Sequence, residues 1–114
     1  MGPNFVKPPE FVVTKKEGMP LVYITGVFGG LAPNDARILY FADRLELEPA
    51  DVPGALKVKR VNQEIQVELH MSPATFKSVA VWMTKHLEAY EKTFGEIKAE
   101  PIRESQQAKD GYVK

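Results

Sequence analysis

Residues 72–95 read SPATFKSVAVWMTKHLEAYEKTFG, a segment with the start and stop signals of one long helix. Ser72 suits the N-cap position, because its hydroxyl can accept a hydrogen bond from a first-turn amide. Pro73 suits the first helical position, where no backbone hydrogen bond is lost. Gly95 suits a left-handed C-terminal cap. The segment therefore predicts a helix over residues 73–94.

The apolar residues of this helix cover more than one packing face. At about 100° per residue, one stripe recurs at three- and four-residue steps and predicts packing on a core. This helix stripe contains Phe76, Ala80, Met83, Leu87, Tyr90 and Phe94. A second apolar group on the helix flank contains Val79, Trp82, His86 and Ala89, and Val81 lies further round the helix beside it. Exposed apolar patches usually mark interfaces, and tryptophan is enriched in binding hot spots. We expect self-association through this flank; the alternative is that the same chain covers Trp82.

Two segments upstream of the helix have the composition of the first strands of a sheet. Residues 21–31, LVYITGVFGGL, are rich in β-branched and aromatic residues, and their glycines indicate a bulge or a close backbone approach. After a turn at residues 32–35, residues 36–48 form the second predicted strand. Ile38, Tyr40 and Ala42 lie on one side of it, and Arg37, Leu39 and Phe41 lie on the other. Because both sides are partly apolar, we expect this strand in the middle of the sheet.

The third predicted strand follows a loop at residues 49–55 and ends at Met71. Its even positions are polar, and its apolar odd positions are Val61, Ile65, Val67, Leu69 and Met71. This alternation predicts one buried and one solvated face. Val58 is out of phase with the alternation. A bulge near Arg60 would explain the phase change; the alternative is a turn at residues 62–63 that divides the segment into two strands.

Strands followed by one long helix predict an α+β domain. We expect an antiparallel meander of three or four strands with the C-terminal helix packed on it, and Phe11–Thr14 is the candidate for the additional short strand. The domain is assigned to residues 11–97. Residues 1–10 are expected to form an extended arm, because prolines restrict this segment. Residues 98–114 are expected to form a polar, flexible tail.

Composition narrows the classes of protein to which this chain can belong. Its 114 residues are 44% hydrophobic and 26% charged, which is typical of a single globular domain. Fifteen basic and fifteen acidic residues balance, and this balance disfavours binding to nucleic acid phosphates. No apolar run approaches the roughly 20 residues of a membrane span, and no apolar signal segment is evident. We expect a cytoplasmic protein without a membrane partner.

No residue pattern predicts a catalytic, cofactor or metal site. The chain has no cysteine, and its histidines, His70 and His86, are not spaced like metal ligands. We interpret His70 as a surface residue and His86 as a residue at the edge of an interface or core. The glycines of residues 26–35 match no phosphate-binding fingerprint, because a strand rather than a helix follows them. The chain is therefore expected not to be an enzyme.

One basic cluster is the candidate contact for nucleic acid. Lys57, Lys59 and Arg60 lie close together in sequence, and aromatic residues on nearby strands could stack on bases. Glutamates at positions 46, 48, 64 and 68 would repel phosphate from the same region. We therefore interpret the cluster as part of a solvated face and keep nucleic acid binding as an alternative.

Two parts of the chain resemble the DUF3467 family of small bacterial and archaeal proteins. The C-terminal part has Met71-Ser72-Pro73 at the end of a strand and the helix ending YEKTFGEI at residues 90–97. The upstream part, YITGVFGGLAPNDARILYF at residues 23–41, is similar to the first hairpin of that family, with Tyr23, Gly26, Pro33, Asp35 and Phe41 at the matching positions. This resemblance implies a fold and no reaction, because the family has no assigned function. The order of strands and helix also resembles that of the oligomeric export chaperone SecB.

These observations favour a small, non-catalytic scaffold or interaction protein. We expect it to form a homo-oligomer, or to bind a protein partner, through the helix flank. One alternative is a SecB-like holdase that binds unfolded segments, and the other is a nucleic-acid-binding module.

Overall fold

A computed structural model describes residues 6–99 of the chain. Within them, strands β1 (Gly26–Ala32), β2 (Asp35–Pro49) and β3 (Leu56–Met71) precede helix α1 (Pro73–Phe94). The strands form one antiparallel sheet in the order β1-β2-β3, with β2 in the middle. The predicted α+β fold is confirmed, with three strands. The predicted tail lies outside the described residues from residue 100 onward, as do residues 1–5 of the predicted arm.

The start of the sheet differs from the prediction. Phe11–Thr14 forms no strand, and the first strand begins at Gly26 rather than at residue 21. Hydrogen bonding to β2 continues for one residue before Gly26. The Thr25 amide donates to the Phe41 carbonyl oxygen at 2.8 Å, and Thr25 Oγ1 accepts from the Asp43 amide at 2.9 Å. The strand-forming composition of residues 21–24 is overridden here, since those side chains are exposed and find no cover within the described residues.

A small core lies where all three strands run side by side. Ala36, Leu39 and Phe41 of β2 are the buried hydrophobic residues of the described chain. The Phe41 ring occupies the space that a side chain on Gly26 would need, which explains a glycine at this position of β1. Phe28 lies beside the same ring, with centroids 6.2 Å apart. The middle position predicted for the second strand is confirmed.

Beyond the core, β2 and β3 continue as a two-stranded ribbon. The pairing of β1 with β2 ends at Phe41, whereas β2 and β3 remain paired to Pro49 and Leu56. The ribbon closes in a turn at residues 50–55, where the Ala50 amide donates to the Ala55 carbonyl oxygen at 3.0 Å. The two strands are one long hairpin, so the alternative of a turn at residues 62–63 is wrong.

Two bulges interrupt the pairing of β2 with β3. The register shifts between Glu46 and Leu47, which leaves Lys59 without a partner in the register and confirms the predicted bulge near Arg60. It also shifts between Tyr40 and Phe41, which leaves Gln66 as an extra residue. Each extra residue exchanges the faces to which the following side chains of β3 point.

The second bulge makes one sequence prediction wrong. The five apolar odd positions of β3 do not share a face. Val67, Leu69 and Met71 lie opposite Tyr40, Ile38 and Ala36 respectively. Ile65 and Val61 lie opposite Phe41 and Leu45, on the other side of the sheet. The predicted buried face is therefore divided into two halves that point in opposite directions.

Helix α1 begins and ends where the sequence predicts. Ser72 has extended backbone angles, and its Oγ accepts a hydrogen bond from the Thr75 amide at 3.1 Å. At the other end, the Gly95 amide donates to the Glu91 carbonyl oxygen at 2.8 Å, and the Glu91 carboxylate accepts from the Ile97 amide. The helix contacts the sheet mainly through β2, and none of its residues is buried. The burial expected of the helix stripe is therefore not found within residues 6–99.

Candidate interaction surface

Trp82 lies uncovered on the helix. It is 58% exposed. Its indole stacks on the His86 ring, with centroids 4.0 Å apart, and His86 Nδ1 donates to the Trp82 carbonyl oxygen at 2.9 Å. This hydrogen bond holds the imidazole against the helix one turn after the indole. The described part of the chain does not seal the Trp82 ring, so the alternative of coverage by these residues is wrong.

The structure separates the five predicted interface residues into two groups. Val79, Trp82, His86 and Ala89 recur at steps of three, four and three residues, which places them in one row along the helix. We call this row the Trp82 row. Val81 lies apart from it and lines a shallow depression that is formed by helix residues alone, namely Lys77, Ala80, Val81, Thr84, Lys85 and Glu88. Val81 therefore lies further round the helix than the other four residues, as its number predicts.

The helix stripe is uncovered as well. Phe76, beside the sheet, is partly buried, but the residues that follow it along the stripe are exposed. Phe94 at its far end is 74% exposed and stacks on Tyr90 with ring centroids 4.9 Å apart. Helix stripe and Trp82 row are adjacent around the helix axis, so together they form one broad apolar surface.

A second apolar surface lies on the ribbon, and the sequence analysis missed it. Cross-strand partners share a face of the sheet. The partners Leu45 and Val61, and Leu47 and Val58, therefore point the same way as Pro49 and Leu56. We call this surface the ribbon face; it contains Leu45, Leu47, Leu56, Val58, Val61 and Ile65, all of them exposed. The half-buried polar pair Asp43 and Gln63 lies on the same face, between Val61 and Ile65.

The opposite side of the ribbon is charged. Arg44 Nε donates to Glu64 Oε1 at 3.0 Å, Arg60 pairs with Glu46, and Lys57 Nζ lies 3.7 Å from Glu48 Oε1. The ribbon is thus amphipathic. The bulge at Lys59 is necessary for this segregation, because without it Val58 would point to the charged side.

The same ion pairs involve two of the three basic residues that were the candidate contact for nucleic acid. Two members of the predicted basic cluster, Lys57 and Arg60, face glutamates across the hairpin, and Lys59 lies at the bulge. A cation that is already paired with a carboxylate contributes less to the attraction of phosphate than a free one. The geometry therefore disfavours this cluster as a nucleic-acid-binding surface.

His70 belongs to an ionic cluster at the end of the sheet next to the helix. Its Nδ1 lies 2.9 Å from Asp35 Oδ2 and its Nε2 lies 2.6 Å from Glu68 Oε2. Arg37 Nε donates to the same Glu68 oxygen at 3.4 Å. The hydrogen bond with Glu68, followed by that with Asp35, raises the pKa of His70 above its ordinary value. The hydrogen bonds from His70 and Arg37 lower the pKa of Glu68.

This cluster refines the interpretation of His70. The residue is exposed, as predicted, but it bridges two carboxylates from different strands. The available sequence signal was the spacing Glu68-x-His70, which places both side chains on one face of a strand. The contribution of Asp35 depends on the pairing of β2 with β3 and has no local signal. Among residues 6–99, no group of three or more acidic, histidine or cysteine side chains is arranged to hold a metal ion.

Comparison of the chain with protein-family models, curated proteins and solved structures gave no match. The resemblances to the DUF3467 family and to SecB therefore remain predictions from the quoted motifs. Within residues 6–99, no helix has the length and apolar character needed to cross a bilayer.

Proposed function

We propose that this chain is a small, non-catalytic scaffold protein that associates with a second copy, or with a protein partner, through the apolar surface of α1. The centre of the interface is the Trp82 row. The proposal includes a cytoplasmic location and no cofactor, both of which rest on the composition and motifs of the sequence.

The observation that supports this proposal is that the apolar surface of α1 is exposed along most of the helix. Helices in globular proteins gain most of their stability from packing of an apolar face, yet α1 has no buried residue. Three of its aromatic side chains, Trp82, Tyr90 and Phe94, are about half to three-quarters exposed. At roughly 150–250 Å² for each aromatic side chain, they expose about 270–450 Å².

This area is a substantial part of what an interface needs. A stable protein–protein contact buries about 800 Å² on each partner, and the aliphatic residues of the helix stripe add to the aromatic area. Apolar patches above a few hundred Å² are rare on proteins that remain monomeric. The indole would serve as the anchor, because a large, rigid ring buries much area at little cost in side-chain entropy.

Light scattering coupled to size-exclusion chromatography tests the proposal. We expect the wild-type chain to elute as a dimer or higher oligomer at micromolar concentration. Trp82→Asp should weaken association by about 2 kcal/mol or more, which is about 30-fold in Kd. Val81→Asp is the matched control, because it adds the same charge at an exposed position outside the Trp82 row and about 140° from the centre of the helix stripe, and it should leave association unchanged. A monomeric wild-type chain that binds no protein partner would refute the proposal.

A SecB-like holdase is the second candidate, and the ribbon face is the observation that favours it. Apolar surface on both the helix and the ribbon could bind unfolded segments. Suppression of the aggregation of an unfolded client at stoichiometric concentration would support this role. If association hides these surfaces and clients aggregate at their normal rate, the scaffold role is preferred.

A further inference from the structure

We infer that the ribbon face is covered by α1 of a second copy. In the resulting two-fold dimer, the helix of each copy lies on the ribbon face of the other. This inference rests on the proposed self-association and identifies the surface that receives the helix. It assigns an interface role to Leu45, Leu47, Leu56, Val58, Val61 and Ile65, which the sequence analysis did not include.

The two surfaces match in size. The helix stripe runs from Phe76 to Phe94, which is about 27 Å at 1.5 Å per residue. The ribbon face runs from the level of Phe41 to Pro49, which is also about 27 Å at about 3.4 Å per residue. An α-helix with its side chains is about 10–12 Å wide. Two paired strands with their side chains present a surface of similar width, since strands lie about 4.8 Å apart.

The two surfaces also match in chemistry. A helix with one apolar stripe and a sheet with one apolar face are the two layers from which α+β cores are built. The ion-paired residues of the ribbon, including Arg44, Glu46 and Arg60, point to the other side, whereas Asp43 and its partner Gln63 are polar residues within the ribbon face. A helix lying on the ribbon face therefore does not have to bury these ion pairs, which would be costly. The balanced charge of the chain also leaves no net repulsion between two copies.

A second copy explains both uncovered surfaces at once. In a two-fold dimer each contact occurs twice, so the helix of each copy covers the ribbon of the other and neither of these two surfaces is left to bind a third chain. Pairing of the two helices with each other would cover the helix stripe but would leave the ribbon face exposed. The distribution of apolar residues therefore favours a dimer in which each helix lies on the ribbon face of the other copy.

Adjacent substitutions on β3 test the role of the ribbon face. Val61 and Asn62 point to opposite sides of the ribbon, so Val61→Glu and Asn62→Glu add the same charge to the apolar and to the charged side. Sedimentation velocity should show a dimer Kd raised at least tenfold by Val61→Glu, because the interface would bury an unpaired carboxylate. Asn62→Glu should leave the Kd unchanged. Far-UV circular dichroism checks that both variants keep the wild-type spectrum.

Disulfide trapping tests which surfaces meet, and the absence of cysteine from the chain makes each introduced thiol unique. Leu87→Cys and Leu45→Cys lie near the midpoints of the helix stripe and the ribbon face, so either direction of the helix brings the thiols close. When the two variants are mixed, allowed to exchange and oxidised, the mixed disulfide should exceed the half expected from random pairing. Predominant Leu87→Cys homodimers would indicate helix–helix pairing and would overturn the inference.

The outcomes separate this inference from the proposed function. If Trp82→Asp dissociates the dimer while Val61→Glu behaves like Asn62→Glu, self-association through the helix is supported and the ribbon contact is refuted. If Val61→Glu dissociates the dimer and Trp82→Asp does not, the ribbon contact stands and the central role of the Trp82 row fails. A wild-type chain that remains monomeric at about 100 μM refutes this inference, and the proposed function is refuted as well if that chain binds no protein partner.

Discussion

Replacement of Gly29 by alanine should disrupt the pairing of β1 with β2. Gly29 lies opposite Ile38 and has a φ of 141°, a conformation that residues with a side chain rarely adopt. A Cβ atom at this position would lie far inside van der Waals contact of the Arg37 carbonyl oxygen and 2.9 Å from its carbonyl carbon. The obstacle is backbone of the central strand, which cannot rotate away as a flexible side chain can.

Two separate effects contribute to the loss of free energy of unfolding that we expect for Gly29→Ala. The unfavourable backbone conformation costs an alanine about 1–2 kcal/mol, and the forced displacement of β2 adds about 1–3 kcal/mol of overpacking. Gly54→Ala isolates the first cost, because Gly54 has a φ of 82° and nothing within 4 Å of its added Cβ. We therefore expect a loss of about 2–5 kcal/mol for Gly29→Ala and about 1–2 kcal/mol for Gly54→Ala.

Urea unfolding followed by circular dichroism measures the difference. Protomer concentration must be fixed, because association contributes to apparent stability. With a slope of about 2 kcal/mol per molar urea, the middle of the usual range, Gly29→Ala should lower the midpoint by about 1–2.5 M, or prevent folding. Gly54→Ala should lower it by less than about 1 M. Equal midpoints for the two variants would show that the close approach to Arg37 is not a constraint, and the reasoning would be wrong.

Two further predictions concern the ionic cluster around His70 and the N-terminal cap of the helix. Because the folded state raises the pKa of His70, its contribution is complete below the ordinary histidine pKa and is lost as pH rises through the folded value. The urea midpoint should therefore decrease as the pH rises above the ordinary histidine pKa, and His70→Gln should reduce this decrease. An unchanged dependence of the midpoint on pH would contradict the assignment. Ser72→Ala removes the acceptor for the Thr75 amide and should cost about 1 kcal/mol, whereas Ser72→Asp keeps an acceptor and should restore most of the loss. If Ser72→Asp is as unstable as Ser72→Ala, the cap does not stabilise the helix.

The helix could be predicted from the sequence because its signals are local. The cap at Ser72, the proline at the first position and Gly95 act within one turn of the chain, and the structure has each of them at the predicted position. The ψ of 168° at Gly95 differs from that of the left-handed cap that the sequence predicts. The position of the indole outside the helix stripe was predictable for the same reason, since the angular position of a residue on a helix depends on its number alone. Strand existence was also predictable, and the boundaries of β2 and β3 are close to the expected ones.

The ribbon face and the His70 cluster could not be predicted in this way. The face that a β3 side chain occupies depends on the number of bulges between that residue and the core. The bulge at Gln66 cannot be recognised in the sequence, because apolar and polar residues alternate without interruption from Val61 to Met71. The contact between His70 and Asp35 likewise joins residues 35 positions apart.

The sequence by itself thus determined the helix, its caps, its excess of apolar surface and the order of strands, because each depends on neighbours within a few residues. Only the tertiary structure decided which apolar residues share a face and which of them the chain leaves uncovered. The physical reason is that a one-residue shift between paired strands exchanges inside for outside while leaving the local hydrophobic pattern unchanged.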